Sequence, residues 1–427
     1  MNMLVAVERL QRALSDAAKA SLDRRFGALF DKVYRKDVLW QAWRLVRRNG
    51  GGPGIDEVTI DVIENEIGVG VFLRELRDEL RSGTYQPQPV KRCWIEKPGR
   101  AEKRPLGIPI VRDRVVQTAV RLVLEPIFET NFDPCSYGFR PGKNAHQAIS
   151  EIQRSITFQG YREVVDLDLQ SYFDTIDHSI LLGLVRRRVS DPRVLRLLRM
   201  WLEAGVLEEG KLQRQLTGTP QGGCISPLLS NVYLHSFDKL WRLRGIRGTK
   251  LIRYADDMVV LCRSGSRRVL RKVRELLSRL RLVVHDQKTR VVRASEGFDF
   301  LGMTFRYQKT SRQAAKLTHC CYRWPRRKAV SSLRDKIRRV IGRRYSRSLA
   351  ETVAAINPIL RGWHAFFKRS NGEPVFRCLD RYVLNRLRIF VKRKFSDESS
   401  GARRLAGGRL DRLGLFRFSR AWISWSG

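Results

Sequence analysis

Two adjacent carboxylates, Asp256 and Asp257, stand between the apolar runs Leu251-Ile252-Arg253-Tyr254 and Met258-Val259-Val260-Leu261. The pattern predicts two strands joined by a tight hairpin whose turn lifts both acids out of a buried sheet. Side-by-side negative charges are unfavourable unless a divalent cation or an arginine compensates them. Metal binding is therefore the chemistry suggested, although an Asp-Asp turn is also compatible with a plain solvated loop. A second acidic segment, Val164-Val165-Asp166-Leu167-Asp168-Leu169, alternates so that Asp166 and Asp168 share one strand face and Val165, Leu167 and Leu169 the other. An acid on a strand otherwise fit for burial needs a partner. If neighbouring strands of one antiparallel sheet bring Asp168 to Asp256 and Asp257, carboxylates from two strands could share two Mg²⁺ ions. That arrangement suits nucleotidyl transfer, with one ion lowering the pKa of an attacking 3′-hydroxyl and the other stabilising the leaving pyrophosphate.

The elements that must position these acids are visible as periodicities. Residues 1–46 look helical, with Leu4, Val7, Leu10 and Leu14 at helical spacing and a second amphipathic run from Phe26 to Leu45. The run Asn49-Gly50-Gly51-Gly52-Pro53-Gly54 breaks the pattern. It lacks the G-K-[ST] ending of a phosphate-binding loop and no strand precedes it, so it reads as a flexible connector. A helix over Val71 to Leu80 leads to two extended segments, Val90 to Ile95 and Lys103 to Pro109, joined by the basic loop Lys97-Pro98-Gly99-Arg100. That loop fits either a triphosphate grip or an exposed hairpin tip. Asp113 to Glu129 reads as a scaffold helix with an apolar stripe and with Arg114 and Arg121 off it. After the first acidic strand, Gln170 to Asp177 turns into a helix, where Asp174 or Asp177 could cap or form an ion pair. The glycine-rich stretch Thr217 to Leu229 feeds another helix, and small residues there allow close backbone approach to a ligand.

Charge bounds the partners. The 427 residues carry a formal net charge of +40, and from Ser311 onward 29 Lys and Arg face seven Asp and Glu. Self-repulsion on that scale implies a polyanionic partner, and the excess of Arg over Lys suits bidentate phosphate contacts. Seven scattered cysteines without a C-x-x-C pair indicate neither a disulfide framework nor a zinc knuckle. No apolar run approaches membrane length, and early acids at Glu8, Asp16 and Asp23 argue against a targeting leader, so no membrane partner and an intracellular setting are expected.

Taken together, Asp168-x-x-x-x-Phe173-Asp174, Gly218-Thr219-Pro220-Gln221-Gly222, Tyr254-Ala255-Asp256-Asp257, Lys288-Thr289 and Phe300-Leu301-Gly302 resemble, in order and spacing, the blocks of reverse transcriptases. More narrowly the chain resembles group II intron-encoded reverse transcriptases. Asp113-Arg114-Val115-Val116-Gln117, Ser136-Tyr137-Gly138-Phe139-Arg140-Pro141-Gly142 and Arg361-Gly362-Trp363 support that narrower likeness, which covers about nine tenths of the chain. The resemblance implies an α+β right-hand polymerase, fingers and antiparallel palm followed by an α-helical thumb or maturase domain. Its expected divisions are an N-terminal helical extension (1–77), fingers and palm (78–306), thumb (307–395) and a basic DNA-binding tail (396–427).

The resemblance further implies that Asp168, Asp256 and Asp257 form the catalytic triad, with Asp168 and Asp256 the main ligands of two Mg²⁺ ions and Leu169 adding its carbonyl. Asp166 is the rival on the first strand. Lys97 and Arg104 match residues that hold the dNTP triphosphate, and Phe173 the aromatic that screens the 2′-hydroxyl. Gln221 would line the nucleotide and template pocket, and Lys288 would protonate or neutralise pyrophosphate. Phe300-Leu301-Gly302 resembles the primer grip. Implied partners are intron RNA or another RNA template, a DNA or RNA primer, target DNA and dNTPs, in the bacterial cytoplasm, with monomer and homodimer both open. The chain reaches Gly427 without the zinc-binding endonuclease module of larger relatives, so second-strand cleavage is not expected. The activity implied is RNA-directed DNA synthesis together with maturase support of splicing and retromobility. Alternatives are a domesticated enzyme of DNA repair or phage defence, an RNA-binding splicing cofactor without polymerase activity, and an RNA-templated RNA polymerase, which Phe173 disfavours.

Overall fold

Apolar runs in the sequence become strands where the computed structural model describes them, which it does for residues 3–96, 103–213, 217–219, 222–310, 318–342, 347–395 and 409–423. The chain forms two compact units, Met1–Glu151 with Glu163–Val291, and Ile152–Arg162 with Val292–Gly427.

Strands of the first unit are β1 (Val90–Glu96), β2 (Lys103–Ile108), β3 (Glu163–Leu167), β4 (Val206–Glu208), β5 (Lys211–Gln213), β6 (Thr249–Tyr254), β7 (Asp257–Cys262) and β8 (Arg290–Arg293), the unit ending at Val291 within β8. One sheet has the order β2-β1-β4-β5, with β1 and β2 antiparallel from Lys91↔Ile108 to Glu96↔Lys103. The other has the order β6-β7-β3-β8. In it β7 runs antiparallel to both neighbours, and Val259, Val260 and Leu261 are fully buried. A strand with apolar side chains on both faces belongs at the centre of a sheet, which is where this one lies.

The helices Met3–Ala20, Lys36–Asn49 and Val69–Ser82 share one hydrophobic core with this sheet, so residues 3–77 pack within the unit. The second of these starts only at Lys36, within the run expected from Phe26 to Leu45 and after a separate short helix Phe30–Val33, because Phe26 forms a bridge with Val189 and Asp191 accepts the amides of Leu29 and Phe30 at 2.9 and 2.8 Å. Gly83, left-handed at φ 78°, stops the third. The helix Val111–Glu129 is buried nearly all round, and Arg114, expected off its apolar face, is only 7% exposed. Its guanidinium donates to the Pro109 carbonyl at 2.8 Å and to that of Gly52. The glycine run therefore serves as an anchored lid on a buried arginine rather than a free connector. A side chain at Gly54 would meet Ile110 at 2.7 Å.

In the second unit β9 (Phe298–Phe300), β10 (Met303–Lys309) and β11 (His319–Pro325) form an antiparallel sheet of order β11-β10-β9. Helices Arg327–Ile341, Leu349–Phe367 and Glu373–Phe395 follow, the middle one opened by a Ser348–Glu351 capping box. Part of the 396–427 segment packs on the helix Glu373–Phe395. Phe418 stacks on Phe376 at 6.2 Å, the amides of Phe418 and Ser419 donate to Asp380 at 2.9 Å, and Leu410, Leu415 and Phe418 are buried. Among the described residues no helix is long and apolar enough to cross a membrane. The α+β class expected from the sequence is the class observed.

Candidate active site

The β6-β7 hairpin closes at the pair Tyr254↔Asp257, which leaves Ala255 and Asp256 as a two-residue turn. Two-residue hairpins favour residues that accept positive φ, usually Asn or Gly. Ala255 takes φ 56° instead, a conformation that costs an L-residue about 1–2 kcal/mol. The offset comes from beneath. Arg253, fully buried on β6, donates through Nη1 to the Ala255 carbonyl at 2.9 Å and to Asn231 Oδ1 at 3.1 Å, while its Nε reaches Asp238 Oδ1 at 2.9 Å. Asp238 and Asn231 are themselves buried on the helix Ser226–Arg244.

The loop containing Ser136 to Gly142 braces the other side. Arg253 exchanges backbone hydrogen bonds with Cys135 and Tyr137 at 2.9 and 2.8 Å, and Asn231 Nδ2 donates to the Gly138 carbonyl at 2.9 Å. Gly138 lies so close to the turn that a Cβ there would sit 2.3 Å from the Ala255 nitrogen. Asp256 is half-buried and Asp257 exposed, so both carboxylates stand at the rim of a rigid support.

The β3-β7 ladder ends at Leu167↔Met258, one residue short of Asp168 and Asp257. Pleat alternation then puts Asp166, Asp168 and Asp257 on one face at the same end of the sheet. Asp168 is fixed by its main chain. Its amide donates to Thr289 Oγ1 at 3.2 Å, and its carbonyl accepts the His285 amide at 2.8 Å. Leu169 bridges Val284. Lys288 Nζ lies 3.6 Å from Asp168 Oδ1, and Arg290 lies 3.6 Å from the rival acid Asp166. The Lys288-Thr289 pair thus packs directly on Asp168.

Phe173 follows Asp168 on the short helix Tyr172–Thr175, entered through Ser171 at φ 43°. Tyr172 is buried beneath it, ring edge to ring at 5.2 Å, and donates to the Ser230 carbonyl at 3.1 Å. Burial, with Asp256 nearby, holds the Tyr172 phenol far above its usual range. The Thr219 amide donates to the Phe173 carbonyl and the Gly218 amide to that of Ile176, both at 2.8 Å. At the far end of this stretch a side chain at Gly222 would meet the Gly107 carbonyl of β2 at 2.4 Å. The glycines are needed for these approaches, and they join the Phe173 turn to β2, the strand that carries Arg104. Gln117, from the helix Val111–Glu129, accepts the Cys224 amide at 2.8 Å and pins the stretch from behind. Asp177 caps the helix His178–Arg186 and pairs with Arg281, a structural role that the sequence left open.

Asp168, Leu169, Phe173, Asp256, Asp257 and Lys288 are therefore gathered at one end of the first unit. The three carboxylates with the Leu169 carbonyl are all oxygen donors, the kind that a hard divalent ion takes. They do not form a closed cluster, for among the described residues no three His, Cys, Asp or Glu side chains are placed to hold one ion. Lys97 and Gln221 fall outside the described residues, as does the side chain of Arg104. Phe300, Leu301 and Gly302 belong to the second unit, where Leu301 (φ 48°) and Gly302 (φ 78°) form the β9-β10 turn and the Gly302 carbonyl accepts the Arg326 amide at 2.9 Å. Sequence reasoning missed Arg253, Asp238, Asn231 and Gly138. A lone arginine within an otherwise apolar strand was the available signal, since a buried guanidinium demands an acid.

A reverse transcriptase (RNA-dependent DNA polymerase) profile matches residues 95–305, and a group II intron maturase-specific domain profile matches 330–406. Protein YkfC of Escherichia coli K12 is 35% identical over 336 residues, covering 69% of this chain and 87% of YkfC. Group II intron-encoded protein LtrA of Lactococcus lactis subsp. cremoris is 38% identical over 228 residues, 53% of this chain and 37% of LtrA. A 91 kDa protein in the cob intron of Schizosaccharomyces pombe is 32% identical over 245 residues, 56% of this chain and 28% of that protein. The chain thus spans well under half the length of the last two.

Proposed function

From the premise that the chain belongs to the reverse transcriptases that carry a group II intron maturase domain, a family of RNA-directed DNA polymerases using divalent metal ions, we propose that its catalytic acids are Asp168, Asp256 and Asp257. The observation that carries the proposal is the convergence of these acids at one sheet end, on a buttressed turn and beside Lys288. Two Mg²⁺ ions held by Asp168, Asp256, Asp257 and the Leu169 carbonyl would activate the primer 3′-hydroxyl and stabilise the departing pyrophosphate.

The chain's own residues do the positioning. Phe173 follows Asp168 in the chain on a turn pinned by Thr219, where its ring would press against the sugar of an incoming dNTP and exclude a 2′-hydroxyl. Lys97 and Arg104 supply charge for the triphosphate and Gln221 a polar contact for the base. Lys288, whose Nζ lies 3.6 Å from Asp168 Oδ1, would release that carboxylate and offer a proton or charge to pyrophosphate. Phe300, Leu301 and Gly302 serve as primer grip. The roles divide as extension (1–77), fingers and palm (78–306), thumb (307–395) and tail (396–427). The basic region beyond Ser311 binds intron RNA for splicing and target DNA for mobility, in a bacterial cytoplasm.

Primer extension on an RNA template with dNTPs tests the assignment. Wild-type chain should make cDNA in Mg²⁺ and stop when the ion is chelated, and Asp168→Asn should lose synthesis while still binding primer–template. Synthesis by Asp168→Asn at the wild-type rate would move the site elsewhere.

A further inference from the structure

The ion pair beneath the Ala255-Asp256 turn is wholly buried, and one arm of it reaches the turn. Arg253 and Asp238 side chains are both fully buried. Burying two charges is costly unless the pair is complete and its remaining donors are used. Here they are used, since the guanidinium takes both Asp238 oxygens, Asn231 Oδ1 and the Ala255 carbonyl. The last contact fixes the peptide that joins Ala255 to Asp256, in a residue whose φ of 56° is unfavourable without support. A lysine has a single point of charge and cannot span Asp238 and that carbonyl with the same fork.

We propose that Arg253, oriented by Asp238 and Asn231, is a positioning residue that holds the acidic turn in one conformation, so that Asp256 and Asp257 meet Mg²⁺ and dNTP preformed. The inference rests on the assignment of Asp256 and Asp257 as catalytic. Loss of the brace leaves the fold and the RNA-binding surfaces in place but lets the turn relax, and displacement on the order of 1 Å at a reacting centre lowers rate by roughly 100-fold.

The test uses the full chain with Arg253→Met and Asp238→Leu together, which replaces both buried charges by apolar side chains and leaves neither charge unpaired. Expected are a cooperative melting transition within a few degrees of wild type, unchanged primer–template affinity, a kcat about 100-fold lower with little change in dNTP KM, and a higher Mg²⁺ concentration for half-maximal rate. Wild-type kcat and Mg²⁺ dependence in the folded double variant would overturn the proposal. Should that variant not fold, Arg253→Lys decides, because it keeps the charge. A raised Mg²⁺ requirement in folded Arg253→Lys supports the brace, and a wild-type requirement sinks it. Asp256→Asn runs alongside, so that full activity there marks failure of the catalytic assignment itself rather than of the brace.

Discussion

Gly138→Ala isolates how closely the acidic turn is supported. Gly138 has no positive φ, so alanine meets no backbone penalty there and any effect is steric. Its Cβ would lie 2.3 Å from the Ala255 nitrogen and 2.8 Å from the Tyr254 carbonyl carbon, both main-chain atoms that cannot swing aside. Bringing the closer contact merely to 3.0 Å requires the turn or the 136–142 loop to recede by about 0.7 Å. Overpacking of this kind costs typically about 1–3 kcal/mol, and a shift approaching 1 Å at a reacting centre costs on the order of 100-fold in rate. In primer extension the variant should therefore fall by one to two orders of magnitude in kcat, with a melting temperature only a few degrees lower and RNA affinity retained. Gly142→Ala is the control, since its φ of 69° strains an alanine but no atom lies within 4 Å, so stability should drop by about 1 kcal/mol without a comparable loss of rate. A Gly138→Ala chain with wild-type kcat would refute the claim that the loop sets the turn.

Replacing the exposed Arg327, Lys336 and Arg339 by Gln should weaken RNA binding and flatten the slope of log affinity against log salt by up to about 2–3, because fewer counterions are released; an unchanged slope would place the RNA elsewhere. Asp113, which accepts Tyr85 Oη at 2.6 Å and the Gln88 amide at 3.0 Å, has its carboxyl pushed up to about 6 by burial. A raised acid pKa means that the folded state holds its proton more tightly, so Asp113 contributes stability that is present below about pH 4 and lost as pH rises through 6. The stability difference between wild type and Asp113→Asn should accordingly shift against wild type across that window, and a difference constant from pH 4 to 7 would contradict it.

Much of the site was legible because it is local. Apolar runs on either side of Asp256-Asp257 specify a hairpin, and strand alternation puts Asp166 and Asp168 on one face. What stayed hidden depends on contacts between distant segments. Arg253 reads as one polar residue in a strand until Asp238, 15 residues upstream, is known to face it from a helix. Arg114 and the glycine run at 49–54 look like a surface arginine and a linker, and only tertiary packing turns them into a buried donor and its acceptor. The aromatic residues near the C-terminus were visible, but not their docking on Phe376 and Asp380, because no periodicity announces a short helix that folds back.

The central claim is that the acids at this sheet end perform the chemistry without holding up the fold. Its most direct measurement is cDNA synthesis and RNA binding, side by side, by the full chain with Asp256→Ala and Asp257→Ala. Synthesis should disappear while RNA affinity and splicing assistance remain at wild-type level. Retained synthesis, or loss of synthesis and RNA binding together, would contradict the account.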